Sequence, residues 1–133
     1  MDDEDKTTLI SISDLHEHEE INPDHAKEIF NKIKNAKFFT EPIIVDSKSL
    51  VILDGHHRFN SCKKLGLKKI PCKLVDYLGD RRIRVESSRS EITVTKEIVI
   101  ERGLNGNVFP SRTSRHFIPH RKKKLKIPLT RLK

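Results

Sequence analysis

The segment Asp54-Gly55-His56-His57-Arg58 constrains this chain more than any other. It stands between an apolar run suited to a strand, Leu50-Val51-Ile52-Leu53, and a helical stretch that ends before Gly66. A glycine at a strand-to-helix turn lets the backbone come close to a ligand. The N–H groups that open the following helix have no partner inside it, and the helix dipole favours an anion there. Arg58 adds a planar fork of donors that matches phosphate oxygens, and two imidazoles stand beside it. Taken singly, each of these residues reads as a solvated turn residue. Taken together in this context, they read as a phosphate-binding corner.

A chain of 133 residues holds one domain with a modest core. No apolar run approaches the roughly 20 residues needed to span a bilayer, so no membrane association is expected. Met1-Asp2-Asp3-Glu4-Asp5 is acidic, the opposite of the charged region of a signal peptide. Cys62 and Cys72 fit no CxxC or zinc spacing. Reduced thiols in a cytoplasmic protein are the expectation.

The net charge of +8 is unevenly placed. Of the 27 Lys and Arg residues, nine follow Pro110, where no acidic residue stands; the 110 residues before carry 18 against 19 acidic side chains. The run Arg121-Lys122-Lys123-Lys124 suits non-specific attraction to nucleic acid, a solvated terminus or the vicinity of an anionic ligand. Phe117 is the one aromatic residue there, which weighs against RNA binding by base stacking.

Strands and helices alternate along the chain. Leu9–Ile12 reads as a strand. Asn22-Pro23 opens a helix, Asn as N-cap and Pro in the first turn. Ala26, Ile29, Phe30 and Ile33 carry its apolar stripe to about Lys37. Pro42–Asp46 and Leu50–Leu53 form a hairpin across the turn-like Asp46-Ser47-Lys48-Ser49. A helix from about His56 to Leu65 stops at Gly66. Ile70–Tyr77 and Arg82–Glu86 read as strands. Ile92–Arg102 fits either type, and Thr95 before it and Gly103 after it favour a helix; Gly103–Asn107 reads as a turn.

Two polar clusters flank this core. His16-Glu17-His18-Glu19-Glu20 alternates imidazole and carboxylate, but two His two residues apart fix no third metal ligand. Alone it reads as a solvated loop. Beside a bound phosphoryl group, one of its carboxylates is suited to deprotonating an attacking hydroxyl. Thr113-Ser114-Arg115-His116 joins hydroxyls, a guanidinium and an imidazole, which suits a small anionic or zwitterionic ligand or else a plain basic loop.

The run from the first helix through Asp54–Arg58 to Tyr77 resembles the ParB/sulfiredoxin superfamily of nucleotide-binding domains. The sulfiredoxin branch has Gly-Cys-His-Arg with a nucleophilic Cys; His56 occupies that place here, so sulfinic acid reduction is not implied. The ParB partition branch has a Gly-Glu-Arg-Arg type motif followed by a helix-turn-helix, and the stretch after Tyr77 is too short and strand-like for that. The free L-serine kinases share the Asp-Gly-His-His-Arg motif intact, a His-Glu pair matched by His18-Glu19, and a Thr-Thr-Arg-His segment after a Phe, matched by Phe109 and Thr113–His116. Two features differ from the larger members: the stretch before the last motif is short, and the chain has no Trp.

The resemblance implies an α+β fold, a single domain with a small mixed sheet flanked by helices. Its core would span about 8–78, a substrate-closing segment about 92–120 and a basic tail 121–133. It implies phosphoryl transfer from ATP or ADP, with Mg²⁺, to the hydroxyl of free L-serine. By residue match, Glu19 is the base. Asp54 acts at the transfer site through the metal, His57 takes part in catalysis, and Gly55, His56, His57 and Arg58 cradle the phosphates. His18, Thr113, Arg115 and His116 hold the amino acid. The implied partners are nucleotide and serine rather than nucleic acid. The rival is a non-enzymatic, ParB-like, nucleotide-binding regulator that uses its basic tail on DNA; it accounts for the tail but not for Glu19 or Arg115-His116.

Overall fold

The computed structural model describes residues 7–119 and 124–133. The first half runs through β1 (Thr8–Ser11), α1 (Pro23–Ala36), β2 (Phe38–Phe39), β3 (Ile43–Asp46), β4 (Ile52–Asp54), α2 (His56–Lys64) and β5 (Lys69–Val75). The second half runs through β6 (Arg84–Ser87), α3 (Lys96–Asn105), β7 (Ser114–Phe117) and β8 (Ile127–Pro128). A four-stranded mixed sheet has the order β1-β5-β3-β4, with β3 parallel to β5 and the other pairs antiparallel. The pairs β2-β8 and β6-β7 form two small antiparallel ribbons. This is the expected α+β class.

The central strands are apolar on both sides because both faces of the sheet are covered. Side chains alternate along β3: Ile43 and Val45 enter one core cluster with Ile33, Phe59 and Ile70, while Ile44 enters another with Val51, Leu53, Tyr77, Val99 and Phe109. The first cluster lies under α1 and α2, which pack against each other. The hairpin turn is held by Asp46, whose Oδ2 accepts from Ser49 N at 3.0 Å and Ser49 Oγ at 2.6 Å. Helix α1 starts where expected: Asn22 Oδ1 accepts from His25 N at 3.1 Å. It ends at Lys37, whose φ of 64° is left-handed.

Three expectations are corrected. Gly103 does not end the third helix but lies inside it; a Cβ there would stand 2.7 Å from Val51 Cγ2, so the glycine serves close packing. The helix ends at Gly106, with φ +77°. The strands β2, β7 and β8 were not expected from the sequence. Residues 124–133 are not a free tail: β8 pairs with β2, Lys68 N donates to Leu132 O at 2.8 Å, and Leu132 is fully buried. The acidic Met1–Asp5 and the basic Arg121, Lys122 and Lys123 lie outside the described residues. Among the described residues no helix is long and apolar enough to cross a membrane.

Candidate active site

Strand β4 ends at Asp54 and α2 begins at His56, so Gly55 alone makes the corner. Its φ is +110°, and a Cβ would lie 2.8 Å from Ile43 Cβ and 3.1 Å from Arg58 Nη2. Both conformation and space demand glycine here. As N-cap, Gly55 supplies no side-chain bond to the opening N–H groups of α2, which leaves them to a ligand or water. Arg58 is fixed beside them. Its Nη1 donates to Glu41 Oε2 at 2.8 Å and to the carbonyls of Glu41 and Pro42 at 3.1 and 3.3 Å. Its Nη2 lies 3.6 Å from Asp54 Oδ2.

The two imidazoles at the start of α2 face the loop before α1. His18 N donates to His56 Nε2 at 3.2 Å, and Asn22 N donates to His57 Nε2 at 3.0 Å. Burial holds His56 well below the ordinary imidazole range, and its neighbours His18, His116 and His57 add to the effect. His57 is lowered by burial, then by His25, whose ring stands edge-on with centroids 4.5 Å apart, and by Arg112. Both rings are therefore neutral near pH 7. Among these residues the positive charge of the free protein lies on Arg58 and the helix N-terminus.

Glu19 is held by the far end of the chain. Its Oε1 accepts from Thr113 N at 3.3 Å, Ser114 N at 2.7 Å and Ser114 Oγ at 2.8 Å. The backbone around it is pinned to Phe109, which accepts from Glu20 N and donates to His18 O, each at 2.8 Å. The segment around His18 and Glu19 is thus built into the fold, not the solvated loop its composition suggests. His18 is fully buried. Its Nδ1 stands 2.7 Å from the Ile52 carbonyl and must donate to it; its Nε2 is 2.9 Å from Ser114 Oγ, whose one proton serves either this nitrogen or Glu19 at a given moment. Burial lowers its pKa from 6.5 to about 4, partly offset by the Ile52 bond.

These groups surround one cavity of about 490 Å³. Glu19, Asp54, Gly55, His56, His57, Arg58, Ser114 and His116 form its polar end, and Ile29, Ile33, Ala36 and Phe38 an apolar wall. The volume is in the range of small-molecule and cofactor sites. Of the residues singled out from sequence, the structure does not bring Thr113, Arg115 or His18 to the cavity wall. The buried Thr113 hydroxyl donates to Pro110 O at 2.6 Å and accepts from Arg89 Nε at 3.1 Å. Arg115 is exposed, 5.2 Å from the Phe117 ring centroid. His18 lies against His56, with ring centroids 4.6 Å apart.

Alternation along β7 explains this division: residues two apart share a face, so Ser114 and His116 line the cavity and Arg115 does not. Reading 113–117 as a strand would have selected Ser114. Tyr77 has no functional signal in the sequence beyond ending a strand; it is fully buried and its hydroxyl lies 2.8 Å from His116 Nε2. Burial pushes its phenol above the ordinary range, so it stays protonated and able to donate to that nitrogen.

Among the described residues no three His, Cys, Asp or Glu side chains are grouped to hold a metal. Glu17 of the His-carboxylate run lies 3.5 Å from Lys63 Nζ. Cys62 and Cys72 are buried and free, and burial pushes both thiols up to about 12, far from a reactive thiolate.

Comparison with known proteins agrees with this architecture. The ParB N-terminal domain family matches residues 2–90. An ATP-dependent L-serine kinase of Staphylothermus marinus is 37% identical over 76 residues, 54% of this chain and 30% of that protein. The ADP-dependent L-serine kinase SerK of Thermococcus kodakarensis is 25% identical over 76 residues, 54% of this chain and 31% of that protein. The chain thus spans under a third of the length of these curated relatives. A solved free serine kinase in complex with AMP superposes with a TM-score of 0.83 over 95% of this chain and 93% of that one, at 16% identity, a likeness of fold. With the family match covering more than half of its residues, the chain belongs to the ParB N-terminal domain family, whose fold it shares with the free serine kinases.

Proposed function

We propose that this domain transfers a phosphoryl group from ATP or ADP to the hydroxyl of free L-serine, giving O-phospho-L-serine. One observation carries the reading: the carboxylate of Glu19, held by Ser114 and Thr113, lines the same cavity as the glycine corner that opens α2. Phosphoryl transfer asks for positioning and charge stabilisation more than for covalent chemistry from the protein. That cavity offers an anion site and a base side by side.

In this reading the nucleotide phosphates rest on the opening N–H groups of α2, beside the fixed Arg58, and the adenine ring lies along the apolar wall. All three bonds to Glu19 fall on Oε1, which leaves Oε2 for the serine hydroxyl. Glu19 takes the hydroxyl proton as the serine oxygen bonds to phosphorus and the bond to the leaving nucleotide breaks. Ser114 and His116 stand where the amino acid would sit, His116 steadied by Tyr77. Mg²⁺ takes one or two carboxylates and otherwise phosphates and water, a demand that Asp54 on the cavity wall meets without a protein cage. When bound there, it would neutralise charge on the phosphates. Named relatives include an ATP-dependent and an ADP-dependent kinase, so both donors belong in the test. The rival DNA-binding reading loses residues 124–133 as a free arm, since they pack into the fold.

The test is incubation with L-serine, Mg²⁺ and either ATP or ADP, with O-phosphoserine read by mass spectrometry. Product from one donor supports the proposal; none from either, with nucleotide still bound, returns the domain to the non-enzymatic reading.

A further inference from the structure

The chain carries two adjacent histidines at the start of α2, and both use the same ring nitrogen in the same way. A backbone N–H can only donate, so Nε2 of His56 and of His57 must each be an acceptor. The donors are His18 N and Asn22 N, which bracket Glu19. The intervening loop is held on its other side by Phe109. Asn22 is also the cap of α1, so the second clip ties the helix start to the loop. With Nε2 accepting, the single proton of each neutral ring sits on Nδ1, so Nε2 is committed to the loop and only Nδ1 could donate to an anion.

We infer that His56 and His57 are positioning residues that clip the loop carrying Glu19 onto the first turn of α2. Through them, the segment that seats the phosphates also sets the place of the base. The inference deepens the proposed kinase reading and rests on it for its kinetic consequence, but the clip itself is a property of the free protein.

The experiment compares His57→Gln, His57→Ala and His57→Lys in the full chain, with His56→Gln as a second site. A Gln oxygen reaches about as far as Nε2 and accepts an N–H without charge; Lys is a cationic donor that cannot accept. Amide hydrogen exchange in the absence of ligand reads the clip directly. Exchange at Asn22 N–H should rise about tenfold in His57→Ala and His57→Lys, the worth of one hydrogen bond, and stay near wild type in His57→Gln. His18 N–H should keep its protection in His56→Gln. With ATP or ADP, L-serine and Mg²⁺, kcat should fall in the Ala and Lys variants and recover in Gln, while nucleotide Kd stays within about twofold. Unchanged exchange at Asn22 in His57→Ala would overturn the inference. So would a Kd that weakens in Ala and Gln and is restored by Lys, which marks a phosphate ligand. If wild-type protein makes no phosphoserine, the kinase reading fails alone and the exchange result still decides the clip.

Discussion

The two polar walls of the cavity are built in different ways. The wall at the start of α2 uses five consecutive residues, Asp54 to Arg58, and its form comes from one backbone corner. The facing wall joins residues from opposite ends of the chain: Glu19 from the loop before α1, Ser114 and His116 from β7. Its key bond, Ser114 N to Glu19, spans 95 positions in sequence. A local turn is enough to hold an anion, whereas placing a base against that anion takes the whole fold. The His clips are where the two walls meet.

The largest expected effect breaks the facing wall alone. Glu19→Ala should lower the rate of serine phosphorylation by roughly 10²–10⁴-fold, the usual worth of a positioned base, with nucleotide affinity near wild type by calorimetry. Equal loss of affinity would mean that the two walls are one binding unit.

Gly55→Ala attacks the local wall. The left-handed φ and the approach of Ile43 should cost about 1–3 kcal/mol of stability, read as a lowered Tm, and nucleotide binding should fall with it. An unchanged Tm would show that the corner is not constrained as described.

Ser114→Ala and Arg115→Ala sharpen the comparison within β7. Loss of the inward hydroxyl, which touches Glu19 and His18, should raise the serine KM or lower kcat by about tenfold, on the scale of one hydrogen bond. Arg115→Ala, on the outward side, should change serine kinetics by less than about twofold. Inverted results would return Arg115 to the substrate site.

The smallest effect near neutrality is on pH. His18, His56 and His57 all titrate lower in the fold than when exposed. The unfolded chain therefore binds more protons on acidification, and stability present above about 6.5 is lost as pH falls, for His18 down to about 4. Tm measured from pH 7.5 to 5 should drop, and less so in His57→Gln.

Legibility in the sequence divides along the same line. The corner, both flanking elements, the hairpin and the capped start of α1 depend on residues a few positions apart, and all were readable. Ser114 carries no signal of its role in the sequence, because β7 exists only by pairing with β6, and the parity of its side chains is set by that partner. Leu132 looked like part of a charged tail, yet it fills the core because β8 finds β2 about 90 residues earlier. The acceptor role of the two histidines has no sequence signal at all; it depends on backbone N–H groups of a distant loop.

The most direct test of the central claim, that one cavity joins anion site and base, is label transfer from terminally labelled ATP or ADP to free L-serine by wild type and Glu19→Ala in parallel. The account predicts labelled O-phosphoserine from the wild type with one donor, and its near-absence from a variant that still binds nucleotide. Equal label transfer by both proteins, or none by the wild type while nucleotide is bound, would contradict it.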